Sequence, residues 1–217
     1  MFTLDPILHL LDLGGPVVSL LAALSVLSLA VVLFKLWQFS AVGVGRHAAL
    51  RQALGEWDRG HRDASANTLT LSDGYLSPLV ARAMSAPHSD DLLFRCEAEA
   101  EEQFLKLERG FRILDSIAQM SPLLGLFGTV LGMIDAFQAL QEAGAAVDPS
   151  LLAGGIWVAL LTTAVGLAVA MPTALALSWL DARMEAERSF AETAWTTILN
   201  PRQSPLTVMP QTHAVAS

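Results

Sequence analysis

Residues 151–180 read LLAGGIWVALLTTAVGLAVAMPTALALSWL, a stretch that contains no Asp, Glu, Lys or Arg. The hydrocarbon core of a bilayer is about 30 Å thick, and an α-helix needs about 20 apolar residues to cross it. This stretch therefore predicts a membrane-spanning helix. Two further apolar stretches, at 16–37 and 117–140, predict two more. We expect an all-α membrane protein with three transmembrane helices.

The composition agrees with this class and argues against others. Of the 217 residues, 53% are hydrophobic and 16% are charged, whereas a soluble domain has about 25% charged residues. The formal net charge of −8 argues against nucleic-acid binding, which requires a basic surface. The single cysteine and the five histidines show no metal-ligand spacing, so we expect no metal site.

The distribution of positive charge predicts the orientation of the spans. All 13 Lys and Arg residues lie at Lys35, within 46–112, or from Arg183 onward. Because positive charge is retained on the cytoplasmic side, we expect residues 1–15 and the loop 141–150 to be periplasmic. A signal peptide is the alternative for the first stretch, but such peptides carry positive charge before the apolar region, and here none precedes it.

Helical patterns are expected to continue from the second and third spans far into the cytoplasm. One apolar stripe with spacings of three and four comprises Phe104, Leu107, Phe111, Leu114 and Ala118. This stripe predicts one helix from about Asp90 to about Gln141, roughly 75 Å long. A cytoplasmic helix over 181–200 should follow the third span, and a disordered tail is expected over 201–217.

The cytoplasmic region 38–116 is expected to begin with shorter elements. These are an amphipathic helix over 41–57, a polar, turn-rich segment over 60–74, and a short helix from Ser77 that ends at Pro87. An acidic cluster lies further on, at Glu97, Glu99, Glu101 and Glu102. We interpret this cluster as a solvated helix face, with a docking surface as the alternative.

Small and hydroxyl residues mark the later spans as candidates for close packing and for an ion path. Gly128 and Gly132 form a GxxxG pattern, which lets two helices approach closely in lipid. The other predicted packing positions are Pro122, Gly125, Gly155, Gly166 and Pro172. Thr129, Thr162 and Thr163 are candidates for lining an ion path, although such threonines often bond to their own helix backbone.

Asp135 is an acidic residue near the outer end of the second span. An acid inside a membrane is a functional candidate, but at this depth water or lipid headgroups can also solvate it, so both interpretations stay open. The sequence contains no nucleophile–base pair, metal cluster or phosphate-binding loop. We therefore expect no catalytic residues and no enzymatic activity.

Two segments resemble the MotA/TolQ/ExbB family of proton-channel subunits, and the ExbB and TolQ branch in particular. They are PLLGLFGTVLGM at 122–133 and GIWVALLTTAVGL at 155–167, the latter followed by AMP at 170–172. The layout is also similar, because three spans are combined with a large cytoplasmic insertion before the second. The resemblance extends over the whole chain apart from the tail.

This resemblance implies an ion-driven motor subunit in the bacterial inner membrane. Family members form a pentamer around a pore that holds a dimer of an ExbD-like or TolR-like single-span protein. An aspartate on each partner helix binds and releases protons. The motion that results is passed to a TonB-like or TolA-like protein, which acts on the outer membrane. The coupling ion is a proton or another monovalent cation, and no further cofactor is implied.

The resemblance also assigns roles to individual residues. Thr129 and Thr163 match the family threonines that face the pore. Val158 stands where ExbB and TolQ carry a glutamate, so this subunit offers no titratable group at that point of the pore wall. The partner's aspartate would then carry the proton chemistry. A membrane scaffold of the same fold, without its own ion path, is the alternative function.

Overall fold

The computed structural model describes residues 5–72, 74–85, 90–142 and 149–202, and all regular structure in these ranges is helical. The predicted all-α class is therefore confirmed. The helices are α1 (Asp5–Val42), α2 (Ala48–Asp58), α3 (Arg62–Leu69), α4 (Ser77–Ser85), α5 (Asp90–Glu108), α6 (Phe111–Glu142) and α7 (Pro149–Leu199).

Three helical stretches are long and apolar enough to cross a membrane, as predicted. They lie within Gly15–Val42, Asp91–Glu142 and Leu152–Leu199 and contain windows of mean hydropathy 2.8, 1.7 and 2.0. The exposed surfaces of these stretches carry many large apolar side chains, such as Leu29, Leu126 and Leu175. Apolar side chains on an outward surface suit contact with lipid.

The chain divides into two compact units. The apolar unit contains the described residues of 1–37 and 108–182, and the polar unit contains those of 38–107 and 183–217. Each has its own buried side chains. In the apolar unit these include Val18, Leu21, Leu114, Ile117 and Leu180, and in the polar unit they include Leu50, Leu76, Val80, Met184 and Ile198.

Helix α1 begins before the predicted first span and changes direction at Gly15. This glycine has φ 62° and ψ −158°, which is not a helical conformation. The residue before a proline avoids the helical region, and glycine reaches positive φ without the penalty of a Cβ atom. The part of α1 that follows this kink therefore begins at Pro16, where the predicted span starts.

The single helix predicted from about Asp90 to Gln141 is wrong, because it is interrupted at Gly110. Helix α5 ends at Glu108 and α6 begins at Phe111, and Gly110 between them has φ 97°. Its carbonyl accepts hydrogen bonds from the first turn of α6. The apolar stripe continues on both sides of this break, so periodicity alone did not reveal it.

Two smaller predictions in the polar unit also need correction. The helix expected over 41–57 is divided, because α1 extends to Val42 and α2 starts at Ala48 after a tight turn. The segment 60–74, expected to be turns, contains helix α3. The helix start at Ser77 is confirmed, and α7 runs to Leu199 without a break, as predicted.

Some predictions fall on residues that the structure does not describe. The end of the short helix at Pro87 lies outside the described residues. The same holds for most of the predicted tail, from 203 onward, for positions 143–148 of the predicted loop, and for the first four residues.

Candidate ion pathway and the helix contact beside it

Helices α6 and α7 meet through glycines that leave no room for a side chain. A Cβ atom placed on Gly166 would lie 2.6 Å from the backbone oxygen of Ser121, and one on Gly125 would lie 3.0 Å from that of Thr162. Both neighbours are backbone atoms, which cannot move aside as a flexible side chain can. The two helices therefore approach at backbone distance, as small residues permit in lipid.

The predicted GxxxG pair lies in the same contact. A Cβ atom on Gly128 would lie 2.7 Å from the hydroxyl of Thr162, and one on Gly132 would lie 3.2 Å from the Cβ of Ala159. Gly155 on α7 faces Ala136 on α6, where an added Cβ would overlap the alanine methyl group. The glycines predicted for helix packing thus form one small-residue seam between two helices of the same chain.

The two prolines predicted for packing differ in their burial. Pro122 is half-buried, and α6 continues through it. Pro172 lies within α7 and is exposed, so it takes no part in the seam.

The hydroxyls of the three candidate threonines lie within hydrogen-bond distance of backbone carbonyls, in the same helix for Thr129 and Thr162 and across the helix contact for Thr163. Thr129 donates to the carbonyl of Leu126 at 2.6 Å. The hydroxyl of Thr162 lies 2.7 Å from the carbonyl oxygen of Ala159. The hydroxyl of Thr163 lies 3.3 Å from the carbonyl oxygen of Gly125. A hydroxyl whose proton is engaged still has an oxygen that accepts. Such an oxygen suits a water molecule or a protonated carboxyl group as donor.

The structure separates Thr162 from the other two threonines. Its side chain is only 2% exposed. Its hydroxyl and that of Thr163 both lie 3.3 Å from the carbonyl oxygen of Gly125, so it is burial that distinguishes these two residues. Thr162 was predicted to line an ion path, but in the protomer its place is between two packed helices. Thr129 and Thr163 are only half-buried, so both retain exposed surface.

The surface beside Thr129 is an open groove along α6 with a volume of about 780 Å³. Its other residues include Met133, Phe137 and Gln141. Asp135 lies exposed on the same helix, and Val158 is half-buried on α7. Val158 brings no titratable group to its position.

Lys35 is a residue whose environment sequence reasoning missed. The sequence identifies it only as a positive charge that follows the first span, whereas the structure buries its side chain, which is 2% exposed. Its ammonium nitrogen lies 5.9 Å from the ring centre of Phe34 and 5.8 Å from that of Phe111. Aromatic faces attract a cation at this range. Hydropathy cannot reveal such an arrangement, because Phe111 is distant in sequence.

The polar unit contains a buried acid–base cluster that the sequence did not predict. Glu187 on α7 is 2% exposed, and His47 before α2 is 4% exposed. The hydroxyl of Tyr75 donates to Glu187 at 2.7 Å, and the ring of His47 stacks on Phe190 with centroids 4.2 Å apart. The cluster joins segments that are far apart in the chain.

The partners of Glu187 keep it ionised. Burial acts most strongly and favours the neutral acid, but hydrogen bonds from His47, Tyr75 and the backbone of Gly45, with the electrostatic attraction of His47, outweigh it. The pKa of Glu187 therefore lies below its ordinary value of 4.5. Burial, together with the hydrogen bond to Glu187 and its charge, raises the pKa of Tyr75.

No group of three or more His, Cys, Asp or Glu side chains capable of holding a metal lies in the described ranges.

Known proteins are similar in sequence to the part of the chain that contains helix α6 and most of helix α7. A sequence profile of the MotA/TolQ/ExbB proton channel family matches residues 72–193. Biopolymer transport protein exbB1 of Vibrio cholerae is 36% identical over 157 residues, which cover 70% of this chain and 67% of that protein. Putative biopolymer transport protein ExbB-like 1 of Synechocystis is 32% identical over 168 residues, covering 73% and 64%.

A TolQ protein is also similar over a shorter stretch. Tol-Pal system protein TolQ of Haemophilus influenzae is 42% identical over 80 residues, covering 37% of this chain and 35% of that protein. The chain thus matches about two thirds of the length of the two ExbB-type relatives and about one third of this TolQ. With its three long apolar helices, the chain is a multi-pass membrane protein that belongs to the MotA/TolQ/ExbB proton channel family.

Proposed function

We propose that this chain is an ion-driven motor subunit of the bacterial inner membrane. Five copies surround a dimer of an ExbD-like or TolR-like single-span protein, and ion flow through the assembly drives mechanical work on the cell envelope through a TonB-like or TolA-like protein. The observation that carries this proposal is the position of Thr129 and Thr163. Both keep exposed surface, Thr129 on α6 and Thr163 at the edge of the glycine seam, where its hydroxyl lies 3.3 Å from the carbonyl oxygen of Gly125. Thr162, in contrast, is 2% exposed.

The chemistry assigned to these threonines is acceptance of hydrogen bonds. Both hydroxyls lie within reach of backbone carbonyls, so their oxygens are left to accept from water or from a protonated carboxyl group. Val158 supplies no acid, so an aspartate of the single-span partner binds and releases the coupling ion. That ion is a proton or another monovalent cation.

The proposed orientation places residues 1–15 and 141–150 in the periplasm. Residues 38–116 and 181–217 lie in the cytoplasm, because these segments carry nearly all the positive charge. The chain acts as a transport component and catalyses no reaction. A phosphatase that is active only in the periplasm tests the orientation: fused after Leu199 it should be inactive, and activity there would overturn the assignment.

Native mass spectrometry of the gently extracted protein tests the assembly. The protein is measured alone and after co-expression with an ExbD-like or TolR-like single-span protein. Five copies joined by two partner chains support the motor. A monomer or dimer that ignores the partner overturns it.

A membrane scaffold without an ion path is the second candidate, and Val158 favours it. This alternative requires the α6–α7 seam but not the exposed threonine oxygens. Replacing Thr129 or Thr163 with valine would then leave function intact, while bulky replacements at Gly128 or Gly132 would prevent assembly.

A further inference from the structure

The polar unit contains a pocket of about 700 Å³ that takes no part in the proposed ion path. Helices α2, α3 and α4 line it, with Trp57, Arg62, Leu69, Pro78 and Met84 among its walls. Sites for small molecules commonly have volumes of about 300–1,000 Å³, mostly apolar walls and a few polar groups. The dimensions of this pocket fall within that class.

Arg62 is the residue that gives the pocket its chemistry. Its guanidinium carbon lies 3.4 Å from the ring centre of Trp57, and its Nη1 atom is buried without a hydrogen-bond partner. In the part of the chain that the structure describes, no carboxylate pairs with this arginine. The side chain of Arg62 as a whole is half-buried, so the guanidinium group keeps accessible surface in the pocket. Because arginine keeps its charge in proteins, this group is available to pair with an anion.

Arg59, three residues earlier, shows the usual arrangement by contrast. Its side chain is 65% exposed and lies 3.2 Å from the carboxylate of Glu56. Water and a neighbouring acid thus satisfy Arg59, whereas Arg62 faces a pocket. The difference lies in the surroundings, because the two residues are of the same type and close in sequence.

The remaining walls define what kind of anion would fit. Leu69, Ala81 and Met84 offer apolar contact. The hydroxyl of Ser65 is already donated to the carbonyl of Ala53 at 2.8 Å. Asp63 also lines the pocket, and its negative charge disfavours a ligand with several charges. A single carboxylate matches the planar fork of a guanidinium group.

We propose that this pocket binds a small organic monocarboxylate with an apolar body, and that Arg62 is its anchor. The carboxylate pairs with the guanidinium group, while the apolar body fills the space between α3 and α4. Such a ligand supplies the counter-charge that Arg62 lacks. The site is independent of the proposed motor function, because its residues lie outside the predicted spans.

The probe for this site is 4-(trifluoromethyl)benzoate, observed by fluorine NMR with the full-length protein in lipid nanodiscs. The matching amide, 4-(trifluoromethyl)benzamide, has the same shape without the charge and reports partition into lipid. We expect saturable binding of the carboxylate and none of the amide. Arg62→Ala should weaken binding by at least about tenfold, since hydrogen bonds to charged groups are the strong ones. Arg59→Ala should leave it unchanged.

A second variant keeps the test decisive if Arg62→Ala disturbs folding. Ala66 is an exposed residue on α3 that lines the pocket, so Ala66→Leu fills the space without changing any charge. It should weaken binding by a similar factor. The proposal is overturned if the carboxylate does not bind saturably, if the amide binds equally well, or if neither Arg62→Ala nor Ala66→Leu weakens the carboxylate.

Discussion

The imidazole Nε2 of His47 lies 2.9 Å from one carboxylate oxygen of Glu187 and 2.8 Å from the other, and both side chains are almost completely buried. The two residues are 140 positions apart. The pair therefore fixes the turn before α2 against the C-terminal part of α7. Removing one member of such a buried pair leaves the other without its partner, which is the costly case for buried charges.

Glu187→Gln should loosen the polar unit. It removes the charge from a site built around a carboxylate, and a cost of about 1–3 kcal/mol is expected for leaving buried polar groups badly paired. Cys96 is completely buried in the same unit and is the only cysteine, so the rate of its labelling by a maleimide reports opening. Glu185→Gln is the matched control, because Glu185 is exposed on the same helix. Equal labelling rates in both variants would contradict the role of the pair.

The hydrogen-bonded carboxylate of Glu187 should also make stability depend on pH in the acid range. The pKa of Glu187 is lower in the folded protein than its ordinary value of 4.5. Its contribution is therefore complete above that value and is lost as the pH falls below it. Thermal unfolding midpoints measured as the pH is lowered should fall more steeply for the unaltered protein than for Glu187→Gln. If the midpoints of the two proteins fall equally with pH, groups other than Glu187 cause the acid sensitivity.

The glycine seam predicts opposite results for two adjacent residues. Gly155→Ala places a methyl group onto Ala136 and should destabilise the α6–α7 contact by about 1–3 kcal/mol, the usual cost of overpacking. Gly154→Ala meets no atom within 4 Å and should be neutral or slightly stabilising, because alanine favours helix. Thermal stability in detergent separates the two. If Gly155→Ala is as stable as Gly154→Ala, the seam is looser than its distances indicate.

The threonines predict a separation between function and stability. Thr129→Val and Thr163→Val should slow or stop energised work while the oligomer persists, because each removes a hydroxyl from a partly exposed position. Thr162→Val should instead lower thermal stability, since it removes a buried hydroxyl that lies within reach of two backbone carbonyls. Transport assays and native mass spectrometry on the same preparations distinguish these effects. Dissociation of the oligomer by both Thr129→Val and Thr163→Val would make these residues packing positions.

Local sequence predicted the all-α class and the three apolar spans of this protein. A run without charge such as 151–180 predicts a spanning helix wherever it occurs, because bilayer thickness and helix rise are fixed. The paired motifs at 122–133 and 155–167 likewise carried the family resemblance. The break at Gly110 could not be predicted in this way, because the apolar residues keep helical spacing on both sides of it.

Only the tertiary structure decided which side chains are enclosed and by what. Thr162 and Thr163 are neighbours in sequence, but a helix turns about 100° per residue, so one faces the seam and the other retains exposed surface. Lys35, His47 and Glu187 carry no local sequence signal of their burial. Their burial depends on partners many residues away, because the packing of distant segments decides whether a charge meets water, an aromatic ring or a counter-ion.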